Sequence, residues 1–245
     1  MSYNSKIEWT EASWNPVIGC TKVSSGCKYC YAEALAERFR GIPGHAFERG
    51  FDLRLVPEKL AEPLKWKMPR KIFVCSMSDL FHERIPFEYI RQVFEVMSNA
   101  RHHTFQVLTK RDSRLKSFSS SLPWPKNIWI GVTVESAAYT HRIDNLLSVP
   151  AAVKFLSLEP LLGPINDIKL DAIDWVIVGG ESGLNARPMD IDWARDIKEQ
   201  CNDAGVPFFL KQLGGRNGKR GGADAVLDGR QWHESPDPLA AAAIS

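Results

Sequence analysis

The chain has 245 residues, 44% hydrophobic and 24% charged, which are the proportions of an ordinary globular protein. A net charge of +2 is close to neutral, so the total demands no polyanionic partner. No apolar run approaches the ~20 residues of a membrane-spanning helix, and the length suits one large domain with a substantial core.

The opening Met-Ser-Tyr-Asn-Ser-Lys-Ile-Glu-Trp lacks the basic-then-apolar pattern of a secretory signal, which leads us to expect a cytoplasmic location. Five cysteines, three of them clustered, fit a reducing compartment better than a disulfide framework. The cluster is Cys20-Thr-Lys-Val-Ser-Ser-Gly-Cys27-Lys-Tyr-Cys30, three thiols within eleven residues. Such a group suits a soft metal centre, either Zn²⁺ or an iron–sulfur cluster. A closed zinc site needs four ligands, and the next histidine is His45, beyond the helix predicted over 29–40. One coordination position is therefore expected to stay open for an exchangeable ligand.

Beyond this loop, β-branched and aromatic runs alternate with amphipathic stretches, the pattern of βα units around a parallel sheet. The clearest strands are Lys71-Ile-Phe-Val-Cys-Ser76, Thr104-Phe-Gln-Val-Leu-Thr109, Ile128-Trp-Ile-Gly-Val-Thr133, Val153-Lys-Phe-Leu-Ser-Leu158, Trp175-Val-Ile-Val-Gly179 and Pro207-Phe-Phe-Leu-Lys211. Another strand is expected to end at Ile18-Gly19, and Phe51–Val56 reads as a peripheral one, seven or eight in all. Helices are expected over 57–67, short or kinked because of Pro63, and over 86–101, 113–121, 136–147 and 190–204, with Pro57, Pro86 and Asp190 as starts. No Gly-x-Gly-x-x-Gly follows the first strand, so a parallel (βα) barrel, TIM-like and partial or complete, is preferred to a Rossmann sheet. The barrel is expected to fill residues 1–213. A Gly-rich basic loop and a C-terminal tail would follow over 214–245, with Gly214–Gly222 either contacting phosphate or simply flexible.

Each strand ends in polar groups: Ser76, Ser78 and Asp79; Thr109, Lys110 and Arg111; Thr133, Glu135 and Ser136; Ser157 and Glu159; Glu181 and Ser182; Lys211 and Gln212. In a barrel these ends surround one mouth. If Ser76 and Ser78 face it, alternation turns Cys75 and Met77 toward the helix layer. Cys75 and Cys201 then read as buried hydrophobes rather than as a fourth ligand. His82 is a candidate for the pocket, His102-His103 reads as a solvated pair, and Trp9 and Trp14 flank the cysteine loop.

The cysteine segment resembles the cluster loop of the radical-SAM superfamily, where three cysteines hold a [4Fe–4S] cluster and S-adenosylmethionine (SAM) chelates the fourth iron. The superfamily spacing is three residues and then two; here it is six and then two, with the aromatic Tyr29 before the last cysteine in keeping with the pattern. The surrounding text, Ile7-Glu-Trp-Thr-Glu-Ala-Ser-Trp-Asn-Pro-Val-Ile-Gly-Cys20, Ser157-Leu-Glu-Pro160, Gly179-Gly-Glu-Ser-Gly183 and Phe208-Phe-Leu-Lys211, is similar to an uncharacterised phage and bacterial family known for a three-cysteine motif. The resemblance implies a radical-SAM-like barrel with the cluster on Cys20, Cys27 and Cys30, reductive cleavage of SAM, an electron donor, and a substrate that could be nucleic acid. It implies that Tyr29 packs on adenine, that Ser76, Ser78 and Asp79 receive the methionine amino group, and that Glu135 and Ser136 hold ribose. Glu159, Glu181 and Lys211 would face adenosine or substrate, with Lys110 and Thr133 on the same rim; a partner protein is a further expectation. The alternative is a zinc-binding or nucleic-acid-binding protein without radical catalysis.

Overall fold

The computed structural model describes residues 5–215 and 221–236. Its centre is a parallel sheet of seven strands: β1 (Ala12–Trp14), β4 (Lys71–Val74), β5 (Thr104–Thr109), β6 (Ile128–Thr133), β7 (Val153–Leu158), β8 (Trp175–Gly179) and β9 (Phe208–Gln212), in that spatial order. Two short strands, β2 (Val17–Ile18) and β3 (Arg54–Leu55), form a separate antiparallel ribbon, and β10 (Val226–Leu227) and β11 (Arg230–Gln231) form another. The sheet curls into a half-barrel flanked by helices, compatible with a partial TIM-like barrel.

The curl is visible in the contacts of one indole. Trp9 packs at a tilt against Phe73 of β4, centroids 4.7 Å apart, and edge-on against Trp175 of β8, 6.2 Å away. In a flat sheet those strands would stand about 19 Å apart, so only a strongly curved inner face lets one ring reach both. Trp129, Phe155, Ile177 and Phe209 complete this inner aromatic cluster.

On the outer face Ile72, Val74, Phe105, Val107, Ile130, Val132, Leu156 and Val178 pack in one core with the helices. Both sheet faces are thus covered, which is why the strands read as near-continuous apolar runs. Helix α3 (Phe87–Asn99) buries Tyr89, Ile90, Val93, Phe94 and Met97, a stripe at helical period. Helices α4 (Asp112–Ser119) and α5 (His141–Leu147) add Leu115, Ile143 and Leu146. Helix α6 (Ile191–Ala204) starts where Asp190 accepts a hydrogen bond from Asp192 N and stops at Gly205, whose φ of 67° is left-handed. Its inner stripe contains Cys201, buried with Ala194 and Ile197 as expected. The connection from β7 to β8 has no helix, and Leu161, Ile165, Ile168 and Leu170 fill the core instead.

The first strand departs from expectation. It lies at Ala12–Trp14, paired with β4, while Val17–Ile18 leaves the sheet to pair with Arg54–Leu55. Pro16 stands between them without an N–H for a ladder, and its carbonyl accepts from Val56 N and Tyr89 Oη, both at 2.8 Å. The stretch over 57–67 divides into a 3₁₀ turn at Pro57–Lys59 and the short helix α2 (Glu62–Lys65). The first helix, α1, spans Tyr31–Glu37.

Alternation also stops early at the end of β4. Cys75 adopts φ 62°, beyond the strand, and Met77 packs against Ala32 and Ala36 of α1 rather than the outer helices. Cys75 does join the outer core, yet it also reaches the cavity described below. His103 is buried with Nε2 3.1 Å from Pro63 O, so the His102-His103 pair is not solvated as a unit.

The free edge of β9 is covered by the segment after β11, where Leu210 N donates to Trp232 O at 2.8 Å and Glu234 N to Phe208 O at 3.2 Å. Ala225, Leu227 and Trp232 enter the core. Residues 216–220 of the basic glycine stretch and the last nine residues lie outside the described residues. Among the described residues no helix is long and apolar enough to cross a membrane.

Candidate functional site

The cysteine loop leaves the ribbon at Gly19, whose φ is 84° and where a Cβ would stand 2.4 Å from Asp52 O, so only glycine fits the exit. Ser25–Cys27 form a 3₁₀ turn, and Cys30 caps α1. Side chains from three strand ends pin the loop onto the carboxyl rim of the sheet. Ser24 Oγ donates to Glu135 Oε1, Tyr139 Oη accepts from Ser25 N at 3.1 Å, and Arg187 Nη2 donates to Ser25 O at 3.0 Å. Gly26 lies directly on Glu135, where a Cβ would be 2.5 Å from the carboxylate. At the other end Arg111 Nη2 donates to Thr21 O and Oγ1, both at 3.1 Å, and to Cys20 Sγ at 3.6 Å.

The loop roofs a cavity of about 360 Å³ that all three cysteines line. Its floor is apolar, made by Ile7, Trp9, Phe73 and Leu108, the upper side of the aromatic cluster. Its walls are Ser76, Ser78, Asp79, Lys110, Thr133, Glu159 and Lys211, from five strand ends. A second cavity of about 150 Å³ adjoins it, sharing Cys30, Lys110, Glu159 and Lys211 and adding Tyr29 and Glu181. Nine of the eleven rim residues expected to bind a cofactor therefore converge on one two-lobed cleft.

Glu135 and Ser136 line neither lobe. The Glu135 carboxylate is fully buried and taken by Arg142 Nη1 at 2.8 Å and by Ser24, so it anchors the loop from below. Several of the other groups are also engaged. Asp79 accepts from Thr109 Oγ1 at 2.7 Å, Lys110 N at 3.0 Å and Phe81 N at 2.9 Å, which fixes the turn after β5. Ser78 Oγ donates to Val17 O, and Ser76 pairs with Asn15. Glu159 meets Lys211 Nζ at 2.8 Å and accepts from Ser157 Oγ at 3.2 Å. Gly179 makes room for it, since a Cβ there would stand 2.6 Å from Glu159 Oε1. Glu181 is gripped by Arg187 at 2.6 Å. His82 is buried behind the loop, Nε2 2.9 Å from Thr21 Oγ1, and does not line the cleft.

Burial pushes the Cys20 thiol up to about 11, helped by the Asp79 charge and opposed by Arg111. Burial raises Cys30 as well, against the amides of Glu33 and Ala32. Both sulfurs are therefore protonated near neutral pH in the metal-free chain, and binding a metal would release protons. The donor chemistry, three thiols lining one cavity with Asp79 tied up by three hydrogen bonds and Glu159 paired with Lys211, suits a thiophilic centre with an open position. Among the described residues, no three His, Cys, Asp or Glu side chains are drawn together as a preformed metal site. The three sulfurs share the wall without meeting at a point.

Ser24, Gly26, Arg142 and Arg187 build the site with no motif to flag them. Arg111 carries one signal, its place in the polar run that ends β5.

Fold and site together define a parallel half-barrel α/β protein with a three-cysteine loop seated over the carboxyl ends of its strands. The chain belongs to the family described as Protein of unknown function (DUF5131), whose model matches residues 4–236. No curated protein matches the chain. No solved structure matches it either.

Proposed function

We propose that this chain is a radical-SAM-like enzyme, with a [4Fe–4S] cluster on Cys20, Cys27 and Cys30 and SAM in the larger lobe of the cleft. The observation that carries the reading is that three cysteines from one eleven-residue segment line a single 360 Å³ cavity at the carboxyl ends of parallel strands, where such folds place their chemistry. When bound, the cluster would supply single-electron reduction of the sulfonium, the source of a hydrogen-abstracting radical.

The residues of the chain hold and shield. The Trp9, Phe73 and Leu108 floor keeps water from below the reacting centre. Ser76, Ser78 and Asp79 present oxygens for an ammonium, which needs acceptors once water is excluded. Lys110 and Thr133 offer donors to a carboxylate or hydroxyl. The Glu159–Lys211 pair, at the junction of the two lobes, can accept from and donate to a substrate entering the smaller one. Nucleic acid is retained as a substrate class, an external electron donor is required, and a cytoplasmic setting would keep the thiols reduced.

Anaerobic reconstitution with iron and sulfide tests this. The expected product carries about four irons and the brown absorption of a cubane cluster, and Cys27→Ala loses both. Protein purified without oxygen that contains zinc in place of iron would move the chain to the zinc-binding alternative. Iron uptake unchanged in Cys27→Ala would also sink the proposal.

A further inference from the structure

We propose that Arg111 is a positioning residue that fixes Cys20 and, by directing an N–H of a buried cation at its sulfur, raises the reduction potential of the iron–sulfur centre; this rests on the radical-SAM-like reading above. Arg111 is 5% exposed, an uncommon place for a charge without a purpose. Nη2 faces Cys20 Sγ, Thr21 O and Thr21 Oγ1 together, at 3.6, 3.1 and 3.1 Å. Nη1 is held by Glu83 Oε1 at 2.7 Å, and Arg111 N donates to Thr109 Oγ1 at 2.9 Å. The fork is therefore fixed at both ends.

Thr21 is clamped from its other side. His82 Nδ1 accepts from Arg84 N at 3.1 Å, which leaves the proton on Nε2 to donate to Thr21 Oγ1. Both donors hold the residue next to Cys20, so the sulfur can shift little without breaking them.

The charges around Arg111 make it the cation that offsets Asp79 beside Cys20. Glu83 is 62% exposed and screened by water, while Asp79, its Oδ2 3.9 Å from Nε, keeps its charge close by, so removing the guanidinium leaves the sulfur facing a carboxylate unopposed. Against a neutral thiol the sulfur contact is weak; against a metal-bound thiolate it becomes a charge-assisted hydrogen bond. One-electron reduction adds negative charge to a cluster, and a nearby buried cation stabilises the reduced form. Lys110, the preceding residue, lines both lobes beside Cys30. Consecutive residues thus bring one cation to each end of the sulfur set.

The test compares wild type, Arg111→Met and Arg111→Lys as full-length chains reconstituted anaerobically with iron and sulfide. The readouts are iron and sulfide content and a reduction potential from titration followed by electron paramagnetic resonance. Arg111→Met is expected to shift to a more negative potential, and Arg111→Lys, which keeps the charge without the fork, to fall between. Variants that load as much iron as wild type and titrate at the wild-type potential overturn this inference while leaving the cluster intact. Wild-type protein that takes up no iron overturns the reading beneath it instead. Should Arg111→Met not fold, Arg111→Lys decides alone, and a wild-type potential in it overturns the role.

Discussion

The two ends of the inner sheet face are built on different physics. At the amino end Phe73, Trp129, Phe155, Trp175 and Phe209 close around Trp9 in a dry aromatic cluster. At the carboxyl end, a few residues along the same strands, Asp79, Lys110, Glu159 and Lys211 line a cavity under the cysteine loop. The floor is held by area removed from water and is indifferent to charge. The rim is held by ion pairs and hydrogen bonds that one missing partner leaves uncompensated. Stability should therefore concentrate at one end and chemistry at the other, and substitutions can separate the two.

The largest loss of stability is expected from Trp175→Ala, which empties the centre of the aromatic cluster and frees Glu234 O from the indole N–H, now 2.8 Å away. It should cost about 3–5 kcal/mol in urea unfolding, and a cost below ~1 kcal/mol would mean that the indole does not hold the inner face together. Glu135→Gln comes next, because it removes the closer carboxylate from the buried Arg142 guanidinium and leaves only Asp112 Oδ1, 3.7 Å from Nε. About 2–3 kcal/mol is expected, together with loosening of the loop, seen as faster proteolysis near Ser24. Gly26→Ala forces a methyl onto Glu135 and should cost about 1–2 kcal/mol. Its sharper effect is on iron uptake, which should fall well below wild type, whereas Trp175→Ala protein that folds should still load.

The smallest effect is a pH dependence. Burial, then the Glu234 charge, push the Cys201 thiol up from an ordinary 9.0 to about 12. A raised thiol pKa favours folding while the thiol stays protonated, so the contribution is whole below pH 9 and fades as pH climbs toward 12. Cys201→Ala should be less stable than wild type at pH 7 but lose stability less steeply above pH 9. Parallel alkaline limbs for the two proteins would contradict the assignment.

The aromatic end was legible from sequence because its strands are long apolar runs with turn residues between them, and all six central strands fall within a residue or two of the expected positions. The first strand was not, since it was expected to end at Ile18-Gly19 although Pro16 divides the stretch between two sheets. At the rim, strand ends announced the polar set but not which members face the cleft. Glu135 and Glu159 occupy matching places in their runs, yet one is buried under the loop and the other lines the cavity. Arg142 decides that difference from a following helix, and no local pattern links it to Ser24, far away in the chain. Positive φ at Cys75 likewise ended an alternation that residue types alone would have continued.

The proposed function requires a cluster on three thiols with one iron free to take SAM. The most direct measurement is the electron paramagnetic resonance spectrum of the reduced, reconstituted protein with and without SAM. A change in the cluster signal on adding SAM is predicted, absent in Cys30→Ala; superimposable spectra from a fully loaded wild-type protein would contradict the account.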